Sequence, residues 1–168
     1  VASEKGNTYF VFDRGESAKI SECCRLSFKL DQTDLEDAKQ PWKMRYCALQ
    51  NVTLNLPRIA YESETKTSKF NDLLDEQLEM ALRAMEIKYQ TIKQRGREGL
   101  LPFLTSKYSG EQYARFENFT RLISFVGLNE TVETLGGKPL YEDSKALDLG
   151  EQTVKYIHSS VRKGVRKP

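Results

Sequence analysis

Apolar residues between 70 and 95 recur at helical spacing. Phe70, Leu73, Leu74, Leu78, Ala81, Leu82, Met85, Tyr89 and Ile92 fall three or four positions apart, which places them on one face of a helix. Thr67 or Ser68 is positioned to cap its start, Asp72 suits its first turn, and Gly96 stands where a left-handed glycine closes a helix. A last helix is predicted over 144–163, with Leu147, Val154, Ile157 and Val161 on its apolar side. Over 52–56 the period shortens to two: Val52, Leu54 and Leu56 alternate with Thr53 and Asn55, as in a strand. Pro57 has no N–H to give a ladder and ends it. The polar alternates are short and neutral, so this strand suits a pocket wall better than open water. A further strand is predicted over 121–126, running into Gly127-Leu128-Asn129-Glu130, and a short one over 8–12, broken by Asp13-Arg14-Gly15. Residues 16–32 lack a period and read as a loop, 34–39 as a helical turn, and Gly136-Gly137-Lys138-Pro139 as a turn. This order is that of an α/β protein. Two or three strands are few for a complete sheet, so part of a larger unit is expected.

A chain of 168 residues amounts to about one domain. With 39% hydrophobic and 30% charged residues it has the balance of a folded, water-exposed protein rather than a disordered one. The 26 basic and 24 acidic residues nearly cancel, which argues against a nucleic-acid surface. No apolar run approaches the roughly 18 residues of a membrane span, and no secretory leader is seen. The first residue is Val1 rather than Met, and a cut or processed fragment is the expectation. Three cysteines, Cys23, Cys24 and Cys47, make a poor disulfide framework and a poor zinc site, so a reducing, cytoplasmic setting is expected.

Candidate chemistry starts at Cys23-Cys24-Arg25. Adjacent cysteines do not bridge each other without strain. On composition alone the plainer reading is one buried cysteine beside an exposed one. The sharper reading is a loop that presents a reactive thiol, with Arg25 favouring the thiolate or meeting a phosphate. Cys47 precedes the 52–56 strand and is a candidate to approach the pair. His158, the one histidine, falls beside Ile157 on the last helix and reads as a surface residue, which leaves Ser–His–Asp and His-rich metal constellations without parts. Glu130 follows Gly127 at a strand end, where α/β proteins place ligand residues, though a helix cap is the plain alternative. Asn51 and Asn55 either bond a substrate or satisfy a neighbouring backbone. None of these signals alone names a reaction.

Together they resemble a family. Val52-Thr53-Leu54-Asn55-Leu56-Pro57-Arg58-Ile59-Ala60 resembles the "NLPRIA" strand of class III anaerobic ribonucleotide reductases. Cys24-Arg25-Leu26-Ser27 resembles that family's cysteine–arginine–serine loop, and Phe125-Val126-Gly127-Leu128-Asn129-Glu130 its "vGlnE" segment. The motifs stand in the family's order and span nearly the whole chain. The resemblance implies a ten-stranded α/β barrel of the glycyl-radical type, with a finger loop at about 14–45 followed by strand, helix, strand and helix, and 1–168 as a single segment of it. It implies that Cys24, with Cys23 as runner-up, becomes a thiyl radical that takes the 3′ hydrogen of a ribonucleoside triphosphate. Arg25, Ser27, Asn51, Asn55 and Glu130 are then the substrate-binding candidates. A glycyl radical, made by an activating enzyme that uses S-adenosylmethionine and an iron–sulfur cluster, generates the thiyl. The implied parent is a homodimer that binds zinc near its C-terminus.

The sequence departs from that pattern in several places. The glycyl-radical motif, the zinc-binding cysteines and the N-terminal effector cone are not in it, so this segment is expected to hold no metal or cofactor of its own and to be inactive alone. In the formate-using branch an asparagine stands about where Cys47 and Ala48 are, and a methionine where Glu22 or Cys23 is. These differences weigh against formate as reductant and open a redoxin-linked variant. Competing readings are a sister enzyme of the pyruvate formate-lyase type, which the Asn55-Leu56-Pro57-Arg58 strand argues against, and a non-catalytic nucleotide-binding module of the same fold.

Overall fold

The computed structural model describes residues 19–22, 26–29, 35–37, 39–40 and 45–165, and it divides into two units, Val1–Arg45 and Tyr46–Pro168. In the first unit, β1 (Lys19–Glu22) pairs antiparallel with β2 (Leu26–Lys29), and residues 35–37 form a helical turn. The stretch 16–32, expected as a loop, thus contains two paired strands. Four residues each are too short to show a period, and the register runs from Lys19↔Lys29 to Glu22↔Leu26. The strand expected over 8–12 lies outside the described residues.

The second unit is built on β3 (Cys47–Asn55) and β6 (Phe119–Val126), which pair in parallel. Parallel neighbours require a long crossover. Here it contains α1 (Leu56–Glu62), α2 (Thr67–Arg97), α3 (Pro102–Thr105) and the two-residue strands β4 (Lys107–Tyr108) and β5 (Glu111–Gln112). Ser109 and Gly110, the link between β4 and β5, both have positive φ, as a tight two-residue hairpin demands. After β6 come α4 (Leu128–Gly136) and α5 (Ser144–Val165).

Alternation sorts the two faces of the strand pair. Val52↔Ile123 and Leu54↔Phe125 point toward α2, where they join a core of Leu56, Ile59, Phe70, Leu74, Leu78 and Ile157. Leu56 and Leu74 are fully buried. Each such side chain contributes about 1.5–3 kcal/mol by leaving water. Arg121, at the start of β6, bonds Glu86 of α2 and lies 5.1 Å from the Tyr89 ring. Hydrogen bonds from Gln90 and Arg121 hold the Glu86 carboxyl below its usual range. α5 packs on α2 and α4, and Tyr156 donates to Asp75 at 2.7 Å. That bond, together with burial, raises the Tyr156 phenol.

Several expectations are corrected. Pro57 does end β3, but it does so by opening α1, where its missing N–H is an orphan anyway. The residue before α2 is Lys66, with no side-chain cap from Thr67 or Ser68. Gly96 is buried inside α2, and the left-handed residue past its end is Gly99. There Gly99 N–H bonds Gly96 O and Leu100 N–H bonds Arg95 O, a Schellman ending. Gly96 is small because Phe116 is in the way: a Cβ there would lie 2.8 Å from Phe116 Cζ. On α5 the buried stripe is Ala146, Gly150, Thr153 and Ile157, and Leu147 is 58% exposed. The small residues let α5 come close, since a Cβ on Gly150 would meet Leu140 Cδ2 at 2.5 Å.

The link between α1 and α2 is strained. Glu64 and Thr65 both take positive φ, 54° and 62°, and Thr65 is β-branched. Ser63 anchors the turn by donating to Ala60 O at 2.7 Å. Thr65→Gly is therefore expected to stabilise the chain by about 0.5–1 kcal/mol, strain relief exceeding the entropy cost of glycine. Urea denaturation checks this; an unchanged or lower midpoint counts against strain at Thr65.

Candidate functional site

The face of β3 and β6 turned away from α2 carries Asn51, Thr53 and Asn55 opposite Leu122, Ser124 and Val126. Asn51, Thr53 and Asn55 are exposed and Ser124 is half-buried. The three β3 side chains thus share one face, as their alternation implies. Thr53 Oγ1 lies 2.8 Å from Ser124 Oγ, and Ser124 Oγ lies 2.9 Å from Asn51 Oδ1. The register Thr53↔Ser124 makes this chain possible, joining two positions 71 residues apart.

Both strands end at the same edge, the C-terminal one, and each passes directly into a helix. Asn55 closes β3 and caps α1, its Oδ1 accepting from Arg58 N–H at 3.1 Å. Of its two readings, satisfying a neighbouring backbone is the one this bond displays, and it occupies only the carbonyl side of the amide. Arg58 turns back to Glu62 at 2.8 Å, which raises the Arg58 guanidinium. Beside Asn55, β6 ends at Val126 and Gly127 turns left-handed, φ 74° and ψ 35°, into α4.

The motif around Gly127 separates into structural parts. A Cβ on Gly127 would collide with the Pro57 ring, 2.6 Å from its Cδ, so the two strand-end motifs interlock at Pro57 and Gly127. Leu128 packs against the core cluster, and Asn129 Oδ1 accepts from Leu140 N–H at 2.9 Å, fixing the connection to α5. Glu130 is exposed in the first turn of α4, where a carboxylate complements the helix dipole. It makes no side-chain cap bond; Gly127 holds the N-cap position.

Of the residues singled out from sequence, Asn51, Asn55 and Glu130 therefore lie on the open face or at the C-terminal edge of one strand pair. Ser27 lies in β2, in the other unit. Cys23, Cys24 and Arg25 lie outside the described residues. Cys47 is exposed at the first position of β3, the opposite end from Asn55. His158 is exposed on α5. Thr53 and Ser124 were not among the sequence candidates as site residues. The signal for Ser124 was present, since it is the one polar residue between Leu122 and Val126. Among the described residues no group of three or more His, Cys, Asp or Glu is placed to hold a metal, and no helix is long and apolar enough to cross a membrane.

An uncharged, hydroxyl- and amide-lined face at the C-terminal edge of parallel strands is where α/β proteins receive ligands. No curated protein and no solved structure matches this chain significantly. The family model described as anaerobic ribonucleoside-triphosphate reductase matches residues 1–167, nearly every position, and includes both interlocked strand ends. The chain therefore belongs to the anaerobic ribonucleoside-triphosphate reductase family.

Proposed function

We propose that this chain is a segment of the catalytic barrel of an anaerobic ribonucleotide reductase, converting ribonucleoside triphosphates to 2′-deoxyribonucleotides by thiyl-radical chemistry. In this reading β3 and β6 are two neighbouring strands of a ten-stranded α/β barrel, and residues of about 14–45 form the finger loop. Cys24, or Cys23 in its place, gives up its sulfur-bound hydrogen to a glycyl radical and then takes the 3′ hydrogen of the substrate, so that an S–H bond forms as the C–H bond breaks. Arg25, Ser27, Asn51, Asn55 and Glu130 contact the substrate. The glycyl radical comes from an S-adenosylmethionine-dependent, iron–sulfur activating enzyme, the reductant is formate or a redoxin, and the setting is cytoplasmic. The observation that carries the reading is the family match over residues 1–167, to which the open polar face of β3 and β6 adds a surface suited to a polar substrate.

The thiol has no means of losing a hydrogen atom without a radical partner. The 168-residue chain alone is therefore expected to make no deoxyribonucleotide from ribonucleoside triphosphates under anaerobic conditions. The same residues within a reductase that carries its glycyl-radical region, treated with the activase, are expected to make it. Product from the chain alone, or none from the activated reductase, sinks the reading.

A further inference from the structure

Each hydroxyl has one proton to give, and this fixes the direction of the bonds on the open face. Asn51 Oδ1 is an acceptor only, so the bond at 2.9 Å uses the Ser124 proton. Ser124 Oγ then accepts, and the 2.8 Å bond to Thr53 uses the Thr53 proton. The chain runs from Thr53 to Ser124 to Asn51 and ends with the carbonyl side of the Asn51 amide occupied. Its Nδ2 has no protein partner among the described residues. Four residues along the same face, Asn55 is arranged alike: Oδ1 is taken by Arg58 N–H and Nδ2 has no partner among the described residues. Two carboxamides thus have their acceptor ends held by the protein and their donor ends unused by the described residues.

We infer that Ser124 and Thr53 are positioning residues that hold Asn51 with its N–H donors outward, so that this face recognises uncharged acceptor oxygens of the ligand. The six side chains Asn51, Thr53, Asn55, Leu122, Ser124 and Val126 include no cation. A triphosphate, with several negative charges, is met by Arg, Lys or backbone nests. Neutral amide donors match the oxygens of a ribose or a base carbonyl. The inference rests on the proposed reductase function and deepens it, assigning this face to the nucleoside part of the substrate.

The test uses the activated, intact reductase. Asn51→Asp is the informative variant. The new carboxylate still accepts from Ser124, so the chain of bonds and the fold are kept, while both outward N–H donors are lost. KM for the ribonucleoside triphosphate is expected to rise about tenfold or more, the equivalent of one hydrogen bond of ~1.4 kcal/mol. Ser124→Ala frees the Asn51 amide to rotate and is expected to raise KM several-fold, with a smaller change in kcat, and Ser124→Thr restores it. The inhibition constant of the corresponding nucleoside, which has no phosphate, is expected to rise by the same factor. Asn51→Asp with the KM of the parent overturns the inference and leaves the reductase function standing. So does a loss confined to the triphosphate and not shared by the nucleoside. A reductase that makes no deoxyribonucleotide in any form fails at the level of function and takes the inference with it.

Discussion

Gly127→Ala is expected to destabilise the chain by about 2–5 kcal/mol, the sum of a left-handed backbone penalty of ~1–2 kcal/mol and an overpacking cost of ~1–3 kcal/mol. Gly127 has φ 74°, and its Cα faces the ring of Pro57 with no room for a methyl group. The collision falls where β3 passes into α1 and β6 into α4, so neither side can yield without moving a strand end. A second substitution separates the two costs. Pro57→Ala removes the ring atoms that a Cβ would strike, and alone it costs little, because position 57 opens a helix and needs no particular side chain. In the double variant the overpacking cost should disappear and the backbone penalty remain, a coupling of about 1 kcal/mol or more in a double-mutant cycle. Denaturation followed by helical circular dichroism measures all four proteins. Strict additivity would show that Pro57 and Gly127 do not meet, and the interlock of the two strand ends would be wrong.

What the sequence made legible follows from range. The α2 face was plain, because nine apolar residues from Phe70 to Ile92, over about six turns, leave no competing period. The second half of β3 was equally plain, since alternation from Asn51 to Asn55 decides both the strand and which residues share a face. Pro57 was read as a stop and the helix after it was missed, because one residue can end a ladder and open a helix for the same reason, its absent N–H. Leu147 was misassigned on α5 because a large apolar side chain outweighs small ones in a periodicity, while in packing Ala146, Gly150 and Thr153 matter more by letting the helix approach.

The site divides in the same way. Asn51 and Asn55 were visible as short polar residues alternating with Val52 and Leu54. Ser124 stood out only as a polar residue in an apolar run, and its role exists only through the register that sets it opposite Thr53. The directions of those bonds came from neither sequence nor fold class, but from counting protons on hydroxyls once the distances were known. The left-handed turn at Gly127 is intermediate: a glycine at a strand end announces a turn, whereas its collision with Pro57 depends on two strand ends lying side by side.

In the activated, intact reductase, Cys24→Ala and Cys24→Ser are expected to lower deoxyribonucleotide formation on the order of a thousandfold or more, as loss of a reacting group does. The glycyl-radical signal is expected to be unchanged, because in the proposed reading that radical is made outside this segment. Hydrogen abstraction needs the sulfur in contact with the ribose 3′ carbon, so displacement of the thiol by one residue is enough to stop it. Cys23→Ala should for that reason be much milder. Arg25→Lys keeps the charge and alters the planar fork, so it tests whether Arg25 acts by geometry or only by charge. Electron paramagnetic resonance and product chromatography on the same anaerobic samples separate radical formation from its use. If Cys23→Ala is dead and Cys24→Ala turns over normally, the reacting sulfur is Cys23. If both variants are active, neither thiol reacts, the segment 23–25 serves structure alone, and the thiyl mechanism must be sought at another residue.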